Sequence, residues 1–371
     1  MITPLLILSP CVALLSPYIA NVYEYSPAPG QFVNLSPEYE EGDTYADILA
    51  KASEELCGDR NPGIVSLGSF GGFVVFGFDH PVVNVEGEDD FKVYGNAIAS
   101  SSEPGVVSVS ADTNGNGLPD DEWYDLAGSE HSSSATLRGV EITYSRPEPG
   151  HTPVTDPDRP FITDAEYSRW TASDGTSGYV MTVDRHTQPY WPLWLQEAAS
   201  LTFRGTLLPP NGIDRNGKGT LYDFKVYDWG YADNKPNTDP EGFNIGNAVD
   251  MEGNPVHLDQ VDFIRVHTGT NQQCGWLGET STEVCGAEDL HPDAQPSGVN
   301  GIAAEAPGWR LCRHAGSVAV ECDHPVTLRI YSPDGTLRHS LDLPQGMSPL
   351  PALPSGLHIL CAEGHAERLV R

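Results

Sequence analysis

Apolar residues recur at every second position in short runs, and glycine or proline closes almost every run before a helix would gain a second turn. That period belongs to half-buried strands, whose side chains alternate between two faces. Runs at 63–68, 72–79, 90–94, 105–110, 139–144, 200–204, 221–227 and 261–267 follow it. So many one-sided strands bury their apolar faces economically as two stacked antiparallel sheets, so the expected class is all-β. Only 44–56 carries helical spacing, with Ile48, Leu49, Ala52 and Leu56 on one face before Gly58. The run 261–267 reads as a distant strand returning to the same sandwich. Residues 60–291 then form one body, with a long insertion near 146–195 and a lead segment at 21–59.

The clearest chemical motif is Asp112-Thr-Asn114-Gly-Asn116-Gly-Leu118-Pro-Asp120-Asp121-Glu122. Calcium takes six to eight hard oxygen ligands, supplied in loops at positions 1, 3, 5, 7 and 9. Asp112, Asn114, Asn116, the Leu118 carbonyl and Asp120 occupy those places, and Asp121 or Glu122, or a residue from another loop, would complete the shell. Trp123 stands where an EF-hand has its bidentate Glu, and Pro119 disfavours helix at Leu118, so a helix-loop-helix is not expected. An Asn-Gly turn is the bland reading. Calcium is preferred because acidic residues crowded on one turn repel unless a cation lies between them.

Acidity is general: 52 Asp and Glu against 20 Lys and Arg give a formal net charge of -32. Nucleic acid is excluded as a partner, since phosphate backbones require clustered basic residues. Residues 301–371 break the trend, holding 6 basic and 7 acidic side chains against 14 and 45 in the preceding 300. A domain boundary is expected there, with a small β domain over 299–371. The first twenty residues are apolar and short, closer to an export signal than to a membrane span, although no Lys or Arg precedes Lys51. Ser9-Pro10-Cys11 is a weak lipoprotein-type site, and no later segment is long enough to cross a bilayer. The seven cysteines show no C-x-x-C spacing and argue against structural zinc. Cys274 with Cys285, and Cys312 with Cys322, are close enough in sequence to pair in an exported protein.

Three further groups are candidates. Tyr190, Trp191 and Trp194, in a Pro-bounded segment and joined by Trp170 and Trp276, would stack on sugar rings if exposed or plug the sandwich if buried. Asp228, Asp233 and Asn234, with Asp214 and Asn216 upstream, offer a second metal set that Arg215 and Lys218 oppose. Glu279, Glu283, Glu288, Asp289 and His291 offer the carboxylates that glycoside hydrolysis requires. No serine elbow, H-E-x-x-H helix or phosphate loop is present.

Two resemblances add to this reading. The segments Ser66-Leu-Gly-Ser-Phe-Gly-Gly72, Phe76-Gly-Phe-Asp-His80, Glu103-Pro-Gly105, Glu122-Trp-Tyr124 after the Asp112 loop, Phe203-Arg-Gly-Thr206, Tyr227-Asp-Trp-Gly-Tyr-Ala-Asp233 and Cys274-Gly-Trp-Leu-Gly-Glu-Thr280 resemble a family of Bacteroidetes cell-surface proteins. The resemblance spans about 20–291. It implies a jelly-roll-like β-sandwich and nutrient capture at the outer membrane, with glycan or corrinoid ligands. The tail, with its Ile330-Tyr331 strand, Asp334-Gly335 turn, Leu353-Pro-Ser-Gly-Leu-His-Ile-Leu360 segment and terminal Arg368-Leu-Val-Arg371, resembles the sorting domain of type IX secretion substrates. It implies export through the outer membrane, by partner secretion machinery, to the cell surface. The combined expectation is an exported, calcium-stabilised sandwich that binds a glycan or other small-molecule ligand. A glycan-cleaving hydrolase and a purely adhesive surface protein are the alternatives.

Overall fold

A computed structural model of the protein describes residues 15–295 and, toward the C-terminus, 309–314, 317–332, 336–351, 353–354, 357–362 and 365–370. The Cys11 site, most of the export-like segment and the Asp334-Gly335 turn lie outside the described residues. The chain divides into two compact units, residues 1–297 and 298–371.

The larger unit is built on a six-stranded antiparallel sheet. Its order is Asn21–Ser26, Phe73–Gly77, Phe263–Thr268, Gly105–Ser110, Tyr124–Leu126 and Ala248–Val249. The late strand Phe263–Thr268 thus runs between two strands from the first third of the chain, as its apolar alternation anticipates. In register, Val266 stands between Val74 and Val107, and Ile264 between Phe76 and Val109. All six side chains point into one core, each buried group contributing roughly 1.5–3 kcal/mol.

Over that face lies the helix Tyr45–Leu56, which buries Ile48, Ala52 and Leu56 and starts at a Thr44–Asp47 capping box. Short ladders complete the cover: Val65–Ser66 with Glu283–Val284, Phe91–Tyr94 with Gly286–Asp289, and Val82–Val83 with Gln260–Val261. The lead segment at 21–59 thus packs with the body, its helix as a cover. Asn21–Ser26 is the body's edge strand, and Ile19, at 1 % exposure, already sits in the core.

The opposite face of the sheet meets a four-stranded sheet ordered Ser177–Val183, Ile162–Ala172, Leu137–Ser145 and Ser200–Leu207. Two of these strands, Ile162–Ala172 and Ser177–Val183, come from the stretch expected as an insertion. Phe73 and Phe203 pack edge to face with centroids 6.5 Å apart. Beside them runs a polar seam. Thr206 and Ser108 donate to the two oxygens of Asp125 at 2.5 and 2.6 Å, Arg265 lies 3.4 Å from Ser108 Oγ, and His267 Nε2 faces the Thr206 carbonyl at 3.3 Å. A Cβ on Gly205 would stand 2.6 Å from that imidazole nitrogen, so only glycine lets the sheets approach there. The architecture is all-β and sandwich-like, with one helix as cover.

The smaller unit has a three-stranded sheet (Trp309–His314, Ser317–Cys322, Gly346–Pro349) and a four-stranded sheet ordered Leu337–Leu343, Val326–Tyr331, Leu357–Ala362 and His365–Val370. Trp309, Val320, Leu328, Ile330, Leu360 and Leu369 form its core. In the hairpin register Cys322 stands opposite Trp309 and Cys312 opposite Ala319. Among the described residues no helix is long and apolar enough to cross a membrane.

Candidate functional site

The aromatic segment expected to be displayed is largely core. Tyr190 is fully buried and Trp191 is 4 % exposed. The Tyr190 hydroxyl donates to the His186 carbonyl, the Trp191 indole donates to the Leu195 carbonyl at 3.1 Å, and both backbone amides donate to the Tyr167 hydroxyl. Trp194 stacks between Tyr25 and Tyr39 at 6.2 and 6.4 Å. The prolines set the turn, but apolar area decides where the rings go. Trp276 is half-buried beneath the Arg185 guanidinium, 5.1 Å from its ring centroid. These four rings form no common platform.

Trp170 is different. It lies half-buried in a cleft of about 240 Å³ whose wall includes Tyr179, Asn271, Gln273 and Thr280 and no charged side chain. The ring lies across Gly178, its cross-strand partner, where a Cβ would come within 2.7 Å of the indole. Gln272 is held by structural bonds, accepting from Asn211 and Gly212 and donating to Asn211 and Thr280. That clamp fixes the loop carrying its neighbours Asn271 and Gln273. An aromatic face beside amides and hydroxyls, free of charge, suits a neutral ligand with many hydroxyls. A second cleft of about 500 Å³ is lined by Glu148, His151, Asp164 and Tyr167, with His151 Nε2 2.6 Å from Asp164. Asp164 is held there by the Val154 and Glu166 amides as well.

The Asp112 loop folds tightly. Asp112 accepts from the Asn116 and Gly117 amides at 3.0 and 2.8 Å, Asn114 Oδ1 accepts from Asn116, and Asn116 Oδ1 accepts from Leu118 at 2.7 Å. Asn114 and Asn116 donate to Asp120 and hold its carboxyl below the usual range. Asp121 accepts from Thr113, while its Oδ2 is buried with no partner; Glu122 instead faces the Tyr124 hydroxyl at 2.9 Å. Leu118 is 53 % exposed at the tip. The loop is tied to the central strand through Asp262, which accepts from the Asp112 amide at 2.7 Å. Burial, then the charges of Asp112 and Asp121, hold Asp262 above the usual carboxyl range. Sequence reasoning missed Asp262, since it lies 150 residues away.

The second metal set does not assemble as expected. Asp228 is exposed, Asn234 serves Tyr227 and Ser102, and Asp214 caps its own turn through Asn216, Gly217 and Gly219. Asp233 instead joins Glu103 and Glu283, their carboxylate oxygens all within 4.8 Å of one another. Of the proposed acid–base set, Glu279 and Glu283 are 2 % and 4 % exposed. Glu288 is engaged by Arg60 and Tyr94, and Asp289 by His80. None of these lines either cleft. Burial pushes Glu279 up to about 8 and Glu283 to about 7, as a dry environment disfavours charge. Cys274 and Cys285 are free thiols, not a disulfide, each pushed up to about 12 by burial. No family model matches this chain, and neither does any curated protein.

Proposed function

We propose that this protein is an exported cell-surface sandwich that captures a neutral glycan in the Trp170 cleft. The observation that carries the reading is the cleft wall: one indole face, a tyrosine, two side-chain amides without structural bonds and a threonine, with no charge. Sugar rings stack on such indole faces through their C–H groups while amides take the hydroxyls. The Asp112 loop holds calcium through Asp112, Asn114, Asn116, the Leu118 carbonyl and Asp120, with Asp121 or Asp262 closing the shell in place of Glu122. The orphaned Asp121 Oδ2 and the repulsion felt by Asp262 support that set. The smaller unit acts as the sorting domain that engages secretion machinery. Titration calorimetry of the full chain against a panel of neutral oligosaccharides tests the ligand. Trp170→Ala should lower affinity at least tenfold with the fold retained, and equal affinity in variant and parent would remove the site.

A further inference from the structure

The four carboxyls of Glu103, Asp233, Glu279 and Glu283 form an unusual concentration of like charge in the body. Asp233 Oδ1 accepts from the Asn96 and Ala97 amides at 2.8 and 2.7 Å, and Oδ2 from the Glu283 amide at 3.0 Å. Glu283 Oε1 faces the hydroxyls of Ser66 and Ser281. Each of these partners points a donor at a carboxylate oxygen, the arrangement that suits an ionised group. A carboxylate has about four lone-pair sites, so Asp233 and Glu283 each keep capacity for a further ligand. Among the described residues no Lys, Arg or His forms an ion pair with any of the four. The charge that the donors favour has no protein cation to meet it.

A separate observation points to the missing partner. Glu279 is 2 % exposed, and although Oε1 accepts from the Gln31 amide at 2.8 Å, Oε2 is buried with no hydrogen-bond partner. Its charge reaches the same group, adding to the repulsion on Glu103 and itself feeling Glu283. A buried acceptor left open within the field of these carboxylates costs stability unless a cation or a bound water offsets it.

We propose that Glu103, Asp233 and Glu283 bind a calcium ion inside the body, whose charge also offsets that of Glu279. Oxygen ligands on opposite sides of a calcium stand about 5 Å apart, twice the metal–oxygen distance, and the 4.8 Å spread of the three oxygens fits that sphere. An all-oxygen set favours a hard cation over zinc or copper. The ion ties the 95–103 loop, the Tyr227–Asn234 turn and the Ser281–Glu283 segment together, three stretches that otherwise meet through short ladders and side-chain bonds.

Calcium stoichiometry of the full chain tests this, measured by elemental analysis after chelator treatment and dialysis against calcium. The parent should hold two ions, Asp112→Ala/Asp120→Ala one, and that variant carrying Glu283→Gln as well none, with circular dichroism reporting the fold. A folded Asp112→Ala/Asp120→Ala protein without calcium overturns the internal site, as does an unchanged ion after Glu283→Gln, or magnesium binding in place of calcium. If Glu283→Gln does not fold, the retained or absent ion in the double variant decides alone. A parent and double variant that each hold one ion would instead refute the Asp112 loop and leave the internal site standing.

Discussion

Trp191→Ala separates a structural ring from a binding one. Trp191 is 4 % exposed among Tyr144, Tyr190 and Phe203, and its indole donates to the Leu195 carbonyl at 3.1 Å. Truncating a buried tryptophan costs about 3–5 kcal/mol. Leaving the Leu195 carbonyl without its donor adds about 1 kcal/mol. A body of this kind is stable by about 5–15 kcal/mol, so the variant should lose about a quarter of that or more. Urea denaturation followed by tryptophan fluorescence measures it, since six of the seven tryptophans lie in the larger unit and Trp309 alone in the smaller. The midpoint should fall sharply with an unchanged slope. A loss under about 1 kcal/mol would mean the ring is not packed as described and would return Trp191 to the candidate ligand-binding rings.

Other perturbations probe the remaining features. Thermal melts of the parent should rise with calcium over chelator by mass action, and Asp112→Ala/Asp120→Ala should lose the loop's share of that rise; identical calcium responses in the two proteins would remove the loop as a site. In chelator, Glu279, pushed up to about 8 in the fold, keeps its proton while the unfolded chain has lost it, so stability should fall as pH rises toward 8. His267, lowered to about 4, contributes the opposite slope only below about pH 6.5, so the 6.5–8 window isolates the acids, and Glu279→Gln should make the slope shallower while Glu103, Asp233 and Glu283 keep the rest; an unchanged slope would refute the raised ionisation of Glu279. Deleting 299–371 should leave the body folded and abolish surface display, and normal display would refute the sorting role.

The sequence disclosed most of the strands because each run is one-sided: Phe263–Thr268 reads as a returning strand through alternation, while the strands it joins emerge only in the structure. The helix was legible from the one-face spacing of Ile48, Leu49, Ala52 and Leu56 before Gly58, and its Thr44–Asp47 cap emerged only in the structure. Burial of Tyr190 and Trp191 was not, since proline-bounded loops look alike whether they face solvent or close a core. The strands Ile162–Ala172 and Ser177–Val183 were hidden because polar Asp164 and Ser168 take buried positions in the first, and the buried Val180 and Val183 of the second stand three apart. The acid cluster was invisible for a different reason. Glu103, Asp233 and Glu283 lie far apart in sequence and meet only when two loops converge on the strand Glu283–Val284, and no local spacing encodes that. Asp233 left one trace, its place in a crowded polar turn where it alone among described non-glycine residues takes a positive φ, 51°.

The position of Phe263–Thr268 between Phe73–Gly77 and Gly105–Ser110 also dictates when the body can fold. Both flanking strands leave the ribosome more than 150 residues before the strand that joins them. Until it arrives each presents a bare apolar edge, the surface on which chains aggregate. Pairings this distant in sequence close slowly. The body is therefore a chain that must remain open until nearly all of it is made, and one that a chaperone holding nascent strands apart would serve better than one that hastens local collapse.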